Sequence, residues 1–302
     1  MSPDALRRRL VDGGLLVPTA VRGVFGRGAV FEDIVERFDR YVTSAGRDDG
    51  AEVLRFPPVL ARDDLARSGF VGSFPNLAGS VHSFTGPAGK EAALLRLLAA
   101  GHEWAGELSP TGVALTPAAC YPVYPMATGA LPVAGRLYDV MSYCFRHEPS
   151  DDPSRMQAFR MHEYVRLGTP AEVREFRDRW LERGQAMLAA VELPAEVALA
   201  NDPFFGRRGQ LLASSQREQS LKFELVVPIA NAAVPTAIAS CNYHRDHLTA
   251  AFSITTSDGQ PAHSACVGFG LERVALALFA THGLEPGRWP RTARATLRLP
   301  AA

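Results

Sequence analysis

Phe31, Ile34, Val35, Phe38 and Val42 in FEDIVERFDRYV fall three or four residues apart, the spacing of one apolar face of a helix. The next stretch, AEVLRFPPVL, predicts a short strand ending at Pro57-Pro58, where an inner strand cannot continue. KEAALLRLLAA predicts a second helix, and the prolines of YPVYPMATGALP predict a loop. Residues 137–146 (LYDVMSYCFR) and the stretch AFRMHEYVRLG predict two strands, with a loop at about 147–155 between them. In TPAEVREFRDRWLERGQAMLAAV, Thr169 is an N-cap, Pro170 the first helical residue and Glu172 the closing member of a capping box. Further strands are expected at SLKFELVVPI and HLTAAFSITT, and a last helix from Leu271 to about His282, stopped by Gly283.

Helices and strands alternate unevenly, and several strands follow one another through hairpin-like connections. That pattern favours an α+β fold, an antiparallel sheet with helices packed on it, over a doubly wound parallel sheet. The 302 residues are enough for a large core, and 47% apolar with 21% charged residues is the composition of a globular protein. Lys plus Arg (32) equals Asp plus Glu (32), so the totals give no hint of a nucleic-acid-binding surface. Arginine carries nearly all the positive charge, since only Lys90 and Lys222 are lysines. No apolar run reaches the roughly 18 residues of a membrane span. The opening MSPDALRRRLVDGGLLVP is interrupted by Asp12 and a glycine pair and makes a poor signal peptide. Four cysteines without a CxxC pair do not form a disulfide framework. A cytoplasmic protein is expected, with thiols that are buried, reactive or metal-bound.

The candidate chemistry lies in two segments. In CFRHEPSDDPSRMQAFRMHEYVRLG, Arg146 and Glu148 are two apart near a strand end and so share a face. Arg155, Phe159 and Glu163 follow at spacings of four and, if extended, share one face too. Guanidinium forks suit phosphate oxygens, an aromatic plane suits a nucleobase, and a carboxylate suits an ammonium group or a metal. An ordinary hairpin with surface salt bridges has the same composition. In SACVGFGLERVALALF, the glycines allow close backbone approach, and Arg273 stands in a first helical turn where the dipole does not favour a cation. Leu271, Val274, Ala275 and Leu278 make a core stripe, with Arg273 in solvent as the plainer alternative. The lone GxG lacks the third glycine of a dinucleotide loop.

Taken together these segments resemble class II aminoacyl-tRNA synthetases. FRHE is similar to the F-R-x-E core of motif 2 (about 140–168), continued by Arg155, Phe159 and Glu163. GFGLERVALAL is similar to motif 3 (about 266–283), and the helix plus FPP at about 31–58 is a loose motif 1, the dimer-forming element. SCNYHRD resembles the S-C-x4-D segment that precedes motif 3 in seryl-type enzymes. The resemblance implies ATP as substrate, with Arg146 on the α-phosphate, Arg155 on the γ-phosphate and Glu148 toward the adenine amino group. Phe159 would stack on adenine and Arg273 cover its other face. A minority, zinc-dependent seryl-type branch uses Cys, Glu and Cys at the positions of Cys120, Glu163 and Cys266; that set leaves one tetrahedral position for a substrate amino group. Cys144 and Cys241 are expected in the core, with Cys241 as reserve ligand. Ala237 stands where seryl-type enzymes carry a magnesium-binding glutamate, which leaves Glu224 as a carboxylate for Mg2+.

The same Cys-Glu-Cys set, FPPVL and GSFPNLAGSVHSF resemble a truncated relative, the amino acid:[carrier protein] ligases. A single catalytic domain over residues 1–302 is expected, with no tRNA-binding domain and no tRNA partner, as a homodimer. The implied function is ATP-dependent activation of a small amino acid, glycine or alanine, as its adenylate. Transfer to the phosphopantetheine thiol of a carrier protein would follow. Exposed arginines in RDRWLERG or FFGRRGQ are candidates for docking that acidic partner. A reduced seryl-type synthetase and a non-catalytic binding paralogue are the alternatives.

Overall fold

The computed structural model describes residues 2–206, 210, 213–214, 216–217, 219–231 and 233–300. Arg207 and Arg208 of FFGRRGQ lie outside the described residues. Its centre is a seven-stranded sheet. In chain order the strands are β1 (Glu52–Arg55), β2 (Arg136–Phe145), β3 (Ala158–Gly168), β4 (Glu196–Leu199), β5 (Lys222–Val227), β6 (Thr236–Arg245) and β7 (His263–Gly270). They lie in the order β4-β5-β6-β7-β3-β2-β1, antiparallel throughout except for the parallel pair β1–β2 at one edge. A mixed sheet built almost wholly of antiparallel neighbours fits the expected α+β class.

Three helices cover one face. Helix α1 (Ala29–Ala45) buries Phe31, Ile34, Val35, Phe38 and Val42, the stripe seen in the sequence. Helix α2 (Pro170–Ala190) begins where expected: the Thr169 side chain accepts from the Glu172 N–H, and the Glu172 carboxylate accepts from the Thr169 N–H. Helix α3 (Leu271–His282) follows β7 directly and ends at Gly283, whose φ of 92° a side chain would resist. Phe31 stacks on Phe279 at 5.7 Å and Phe38 meets Phe269 edge-on at 5.8 Å, tying α1 to α3 and β7. The opposite face carries a second apolar cluster that includes Tyr124, Tyr138, Val140, Val165, Phe252 and Cys266. Strand β3 is thus enclosed from both sides. No helix among the described residues is long and apolar enough to cross a membrane.

Three expectations fail. HLTAAFSITT forms a helical turn, His247–Ala251, and only the two-residue strand Ile254–Thr255, not one strand. In its first half Leu248, Thr249 and Phe252 are buried at a helical spacing, and alanine-rich sequence favours helix. The proline-broken YPVYPMATGALP contains a helical turn, Val123–Met126, because prolines at the start of a turn sacrifice no hydrogen bond. Arg155 also precedes β3, in a turn where its N–H bonds the Asp152 carbonyl, so it does not share the extended face of Phe159 and Glu163.

Candidate active site

Side chains alternate along β3, so Phe159, Met161, Glu163 and Val165 point to the face opposite α1 to α3. Glu163 pairs in register with Gly268 of β7. A Cβ at Gly268 would lie 3.1 Å from Glu163 Cγ and 3.3 Å from Met161 Cε, so the first glycine of GFG makes room for this carboxylate. Two residues earlier on β7, and therefore on the same face, stands Cys266. Cys120 reaches the site from a turn ahead of Val123–Met126, where its carbonyl accepts the Val123 N–H at 3.0 Å and its own N–H donates to Glu163 Oε1 at 3.3 Å.

The ligand atoms of Cys120, Glu163 and Cys266 lie within 4.8 Å of one another, and all three residues are buried. Burial, then the charge of Cys266, pushes the Glu163 carboxyl up to about 8. The Cys120 side chain hydrogen-bonds Cys266, which raises its own thiol and draws the Cys266 thiol down. Three anionic donors crowded away from water repel one another, and a divalent cation among them removes that cost. Two thiolates and one carboxylate suit zinc, with one tetrahedral position left open. Cys241 is no reserve for this set. It pairs with Val267 and packs in the cluster under the helices, on the far face of the sheet. Cys144 is a buried core residue, as expected.

Further along the same face is a small pocket lined by Pro153, Ser154, Met156, Phe159, Gly270, Glu272 and Arg273. Arg273 is held by two carbonyls, Ser154 O at 2.8 Å and Ala237 O at 3.0 Å. Burial and the neighbouring charges of Arg146 and Arg155 lower its guanidinium to about 10. Arg146 donates through Nε to Pro117 O at 3.0 Å, and its guanidinium lies 5.5 Å from the centroid of the Phe159 ring. It also approaches Met161 Sδ at 4.0 Å, so its charge stands between Phe159 and Glu163. Glu148 and Arg155 pair with each other at 3.6 Å beside this group, both partly exposed. Glu224 pairs with Lys222 at 3.2 Å, and Lys222 also meets Asp202.

Two buried cationic side chains, Arg160 and His162, carry the ion pairs that fix the frame. Arg160 donates through Nε to Glu272 Oε1 at 2.8 Å and through its backbone N–H to Glu272 Oε2 at 2.6 Å, while its two terminal nitrogens grip Glu32 at 2.7 and 3.0 Å. The neighbours of these residues, Phe159 and Arg273, are thereby set across the pocket. Beneath α1, His162 bridges Asp39 at 2.7 Å and Asp139 at 3.1 Å.

Sequence reasoning missed the residues around Cys266. Asn242 Nδ2 donates to Cys266 Sγ at 3.5 Å and His244 Nε2 lies 3.6 Å from it. His244 Nδ1 is in turn 3.2 Å from both Tyr124 Oη and Ser264 Oγ. The signal was SCNYHRD, in which Asn242 and His244 alternate on one strand beside the motif 3 strand.

No family model matches the chain. It is 47% identical over 279 residues to amino acid--[acyl-carrier-protein] ligase 1 of Bradyrhizobium diazoefficiens, covering 92% of this chain and 85% of that protein. The chain belongs to the amino acid--[acyl-carrier-protein] ligase family. A more distant likeness, 28% identity over 200 residues, is to the type-2 serine--tRNA ligase of Methanopyrus kandleri, across 61% of this chain and 37% of that one. Among solved structures, that of M. kandleri SerRS in complex with A. aeolicus tRNASec superposes with a TM-score of 0.84. It is 20% identical, and the match covers 98% of this chain and 62% of that one. The chain therefore has the class II synthetase fold that the motifs of its sequence resemble.

Proposed function

We propose that this ligase activates glycine or alanine with ATP as the aminoacyl-adenylate and passes the aminoacyl group to the phosphopantetheine thiol of a carrier protein. The observation that carries the reading is the order of groups along β3. Phe159 and Glu163 are about 13 Å apart at about 3.3 Å per residue, with the Arg146 guanidinium between them. A nucleobase on Phe159, an α-phosphate at Arg146 and an amino group at the Cys120–Glu163–Cys266 trio would lie in that sequence. An aminoacyl-adenylate carries its own groups in the same sequence over a similar span.

Zinc held by Cys120, Glu163 and Cys266 would supply a Lewis-acid position for the substrate amino group. Arg273, kept rigid by two carbonyls, covers the base opposite Phe159. Arg155 and Glu148 open from their mutual pair toward the γ-phosphate and the adenine amino group. Glu224, close enough to Arg273 to raise it, is the carboxylate assigned to Mg2+ on the ATP phosphates, leaving Lys222 to Asp202. In the first step a carboxylate oxygen of the amino acid attacks the α-phosphorus and pyrophosphate leaves. Arg146 stabilises the charge that gathers on the α-phosphoryl oxygens. In the second step the pantetheine sulfur attacks the acyl carbon, loses its proton, and AMP leaves. Positioning and charge stabilisation suffice for both steps. One catalytic domain, paired as a homodimer through the motif 1 region, completes the reading.

The test is ATP–pyrophosphate exchange with all twenty amino acids, with zinc measured on the same sample and Cys266→Ala as control. Exchange with one or two small amino acids, near one zinc per chain, and loss of both in the variant support the reading. No exchange by a folded, zinc-loaded protein overturns it. Acceptor assays with a phosphopantetheinylated carrier and with tRNA then decide the second step.

A further inference from the structure

Asn242 has a side chain that the chemistry above leaves unused. Lys222, Asn242 and Cys266 stand in register across β5, β6 and β7, so all three point to the face of the metal trio. Asn242 Nδ2 donates to Ser240 Oγ at 3.2 Å and to Cys266 Sγ at 3.5 Å. A metal-binding thiolate can only accept, so the nitrogen of the amide must face Cys266 and the oxygen must face away. That oxygen, Oδ1, is buried and meets no donor among the described residues.

Donors on the surrounding residues have other partners. Lys222 Nζ is held by Asp202, the partner it keeps when Glu224 serves Mg2+. Tyr124 and His244 are bound to each other and to Ser264. A buried acceptor without a donor is costly, and a ligand that brings an N–H to it binds more tightly for that reason. The donor this site would receive is an amine, because the residue touching Asn242 is itself one of the three metal ligands.

We propose that Asn242 is a substrate-positioning residue: anchored to Cys266 through Nδ2, it presents Oδ1 to an N–H of the α-amino group of the amino acid. The inference rests on the activation reading above. It adds a hydrogen-bond acceptor that a primary amine satisfies and a carboxylic acid without an amine does not. The site thereby selects the amine by a second contact besides the metal.

The test uses the full, zinc-loaded chain and Asn242→Ala. KM and kcat are measured in pyrophosphate exchange with glycine and with alanine, together with KM for ATP and zinc per chain. Acetate and propionate, which lack the amine, serve as competing probes. The expected result is a KM for the amino acid roughly tenfold higher, the loss of one hydrogen bond from a charged or metal-bound amine. KM for ATP, kcat and zinc content stay at wild-type values, and acetate and propionate compete equally well in both proteins. An unchanged KM for the amino acid overturns the inference. So does a parallel rise in KM for ATP, which marks a general structural effect, or a loss of zinc, which marks a role in holding Cys266 alone. These outcomes are read against a wild type that exchanges; a wild type inert with every amino acid overturns the activation reading as well.

Discussion

Replacing Arg160 with Met tests whether the ion network between α1, β3 and α3 holds the frame of the site. The Arg160 side chain is 10% exposed, and removing it deletes one bond to Glu272 and two to Glu32. Among the described residues, Glu272, 2% exposed, would keep only the Arg160 backbone N–H and the Arg27 guanidinium at 3.6 Å. Removing one partner of a buried pair costs about 3–5 kcal/mol, and the remaining Arg27 places the expectation near the lower end, about 3 kcal/mol. Scaled by the typical entropy of unfolding for a chain of 302 residues, that corresponds to a fall in Tm of about 5 °C. Urea denaturation of the zinc-loaded protein would show the same loss as a lower midpoint with unchanged slope. Because the cost is a stranded carboxylate, adding Glu272→Gln to the Arg160→Met protein should recover at least about 1 kcal/mol rather than lose more. A single-variant loss below about 1 kcal/mol, or a double variant whose losses simply add, would refute the stranded-charge argument. Phe159 and Arg273 flank the two residues, so weaker ATP binding should accompany the loss of stability.

Gly268→Ala should force Glu163 and Met161 apart and cost about 1–3 kcal/mol, and zinc per chain, measured beside Tm, should fall with it. Lys222→Met should strand Asp202 and Glu224 and cost about 2 kcal/mol near pH 7 by denaturant titration. That cost should depend on pH. Burial pushes the Asp202 carboxyl up, but Lys222 and the Gln216 side-chain amide, which donates to it at 2.8 Å, outweigh this and hold it below its ordinary 3.8. The pair's stabilisation is therefore complete above that value and fades as pH falls below it, so wild type and variant should converge in stability in acid. Thr169→Ala removes one side of the capping box and should cost about 1 kcal/mol without changing zinc content or pyrophosphate exchange.

The parts of the fold that obey local rules could be read from the sequence. Helix α1 shows its buried stripe directly, and the start of α2 is encoded in Thr169, Pro170 and Glu172. Phe159 and Glu163 share a face because they lie on one strand at an even spacing. What local rules leave open is which distant strands touch. Cys120 and Cys266 meet Glu163 only because a turn and a neighbouring strand deliver them, and no spacing along the chain encodes that closure. For Cys241 the chain context gave one answer and the pleat another. Its neighbour Asn242 faces Cys266, so Cys241 itself must face the helices. The partners of Arg160 were hidden for a similar reason: with arginine as almost the sole cation, nothing distinguishes a buried guanidinium from an exposed one until the layers are assembled. The helical turn at His247–Ala251 reads as strand because Leu248, Ala250 and Phe252 also alternate.

Strand β3 presents Phe159, Met161 and Glu163 to one side and Arg160, His162 and Tyr164 to the other, and both sets are committed. A shift of one position would put Arg160 and His162 where the substrate lies and leave Glu163 among the helices. Chimeras between members of this ligase family therefore have to take residues 158–168 as one block, with crossovers placed in the flanking turns. An added or deleted residue inside that block would abolish folding and chemistry at once, whereas length changes in the turn before Ala158 would act on the pocket through Ser154, Arg155 and Met156 while leaving the β3 register intact.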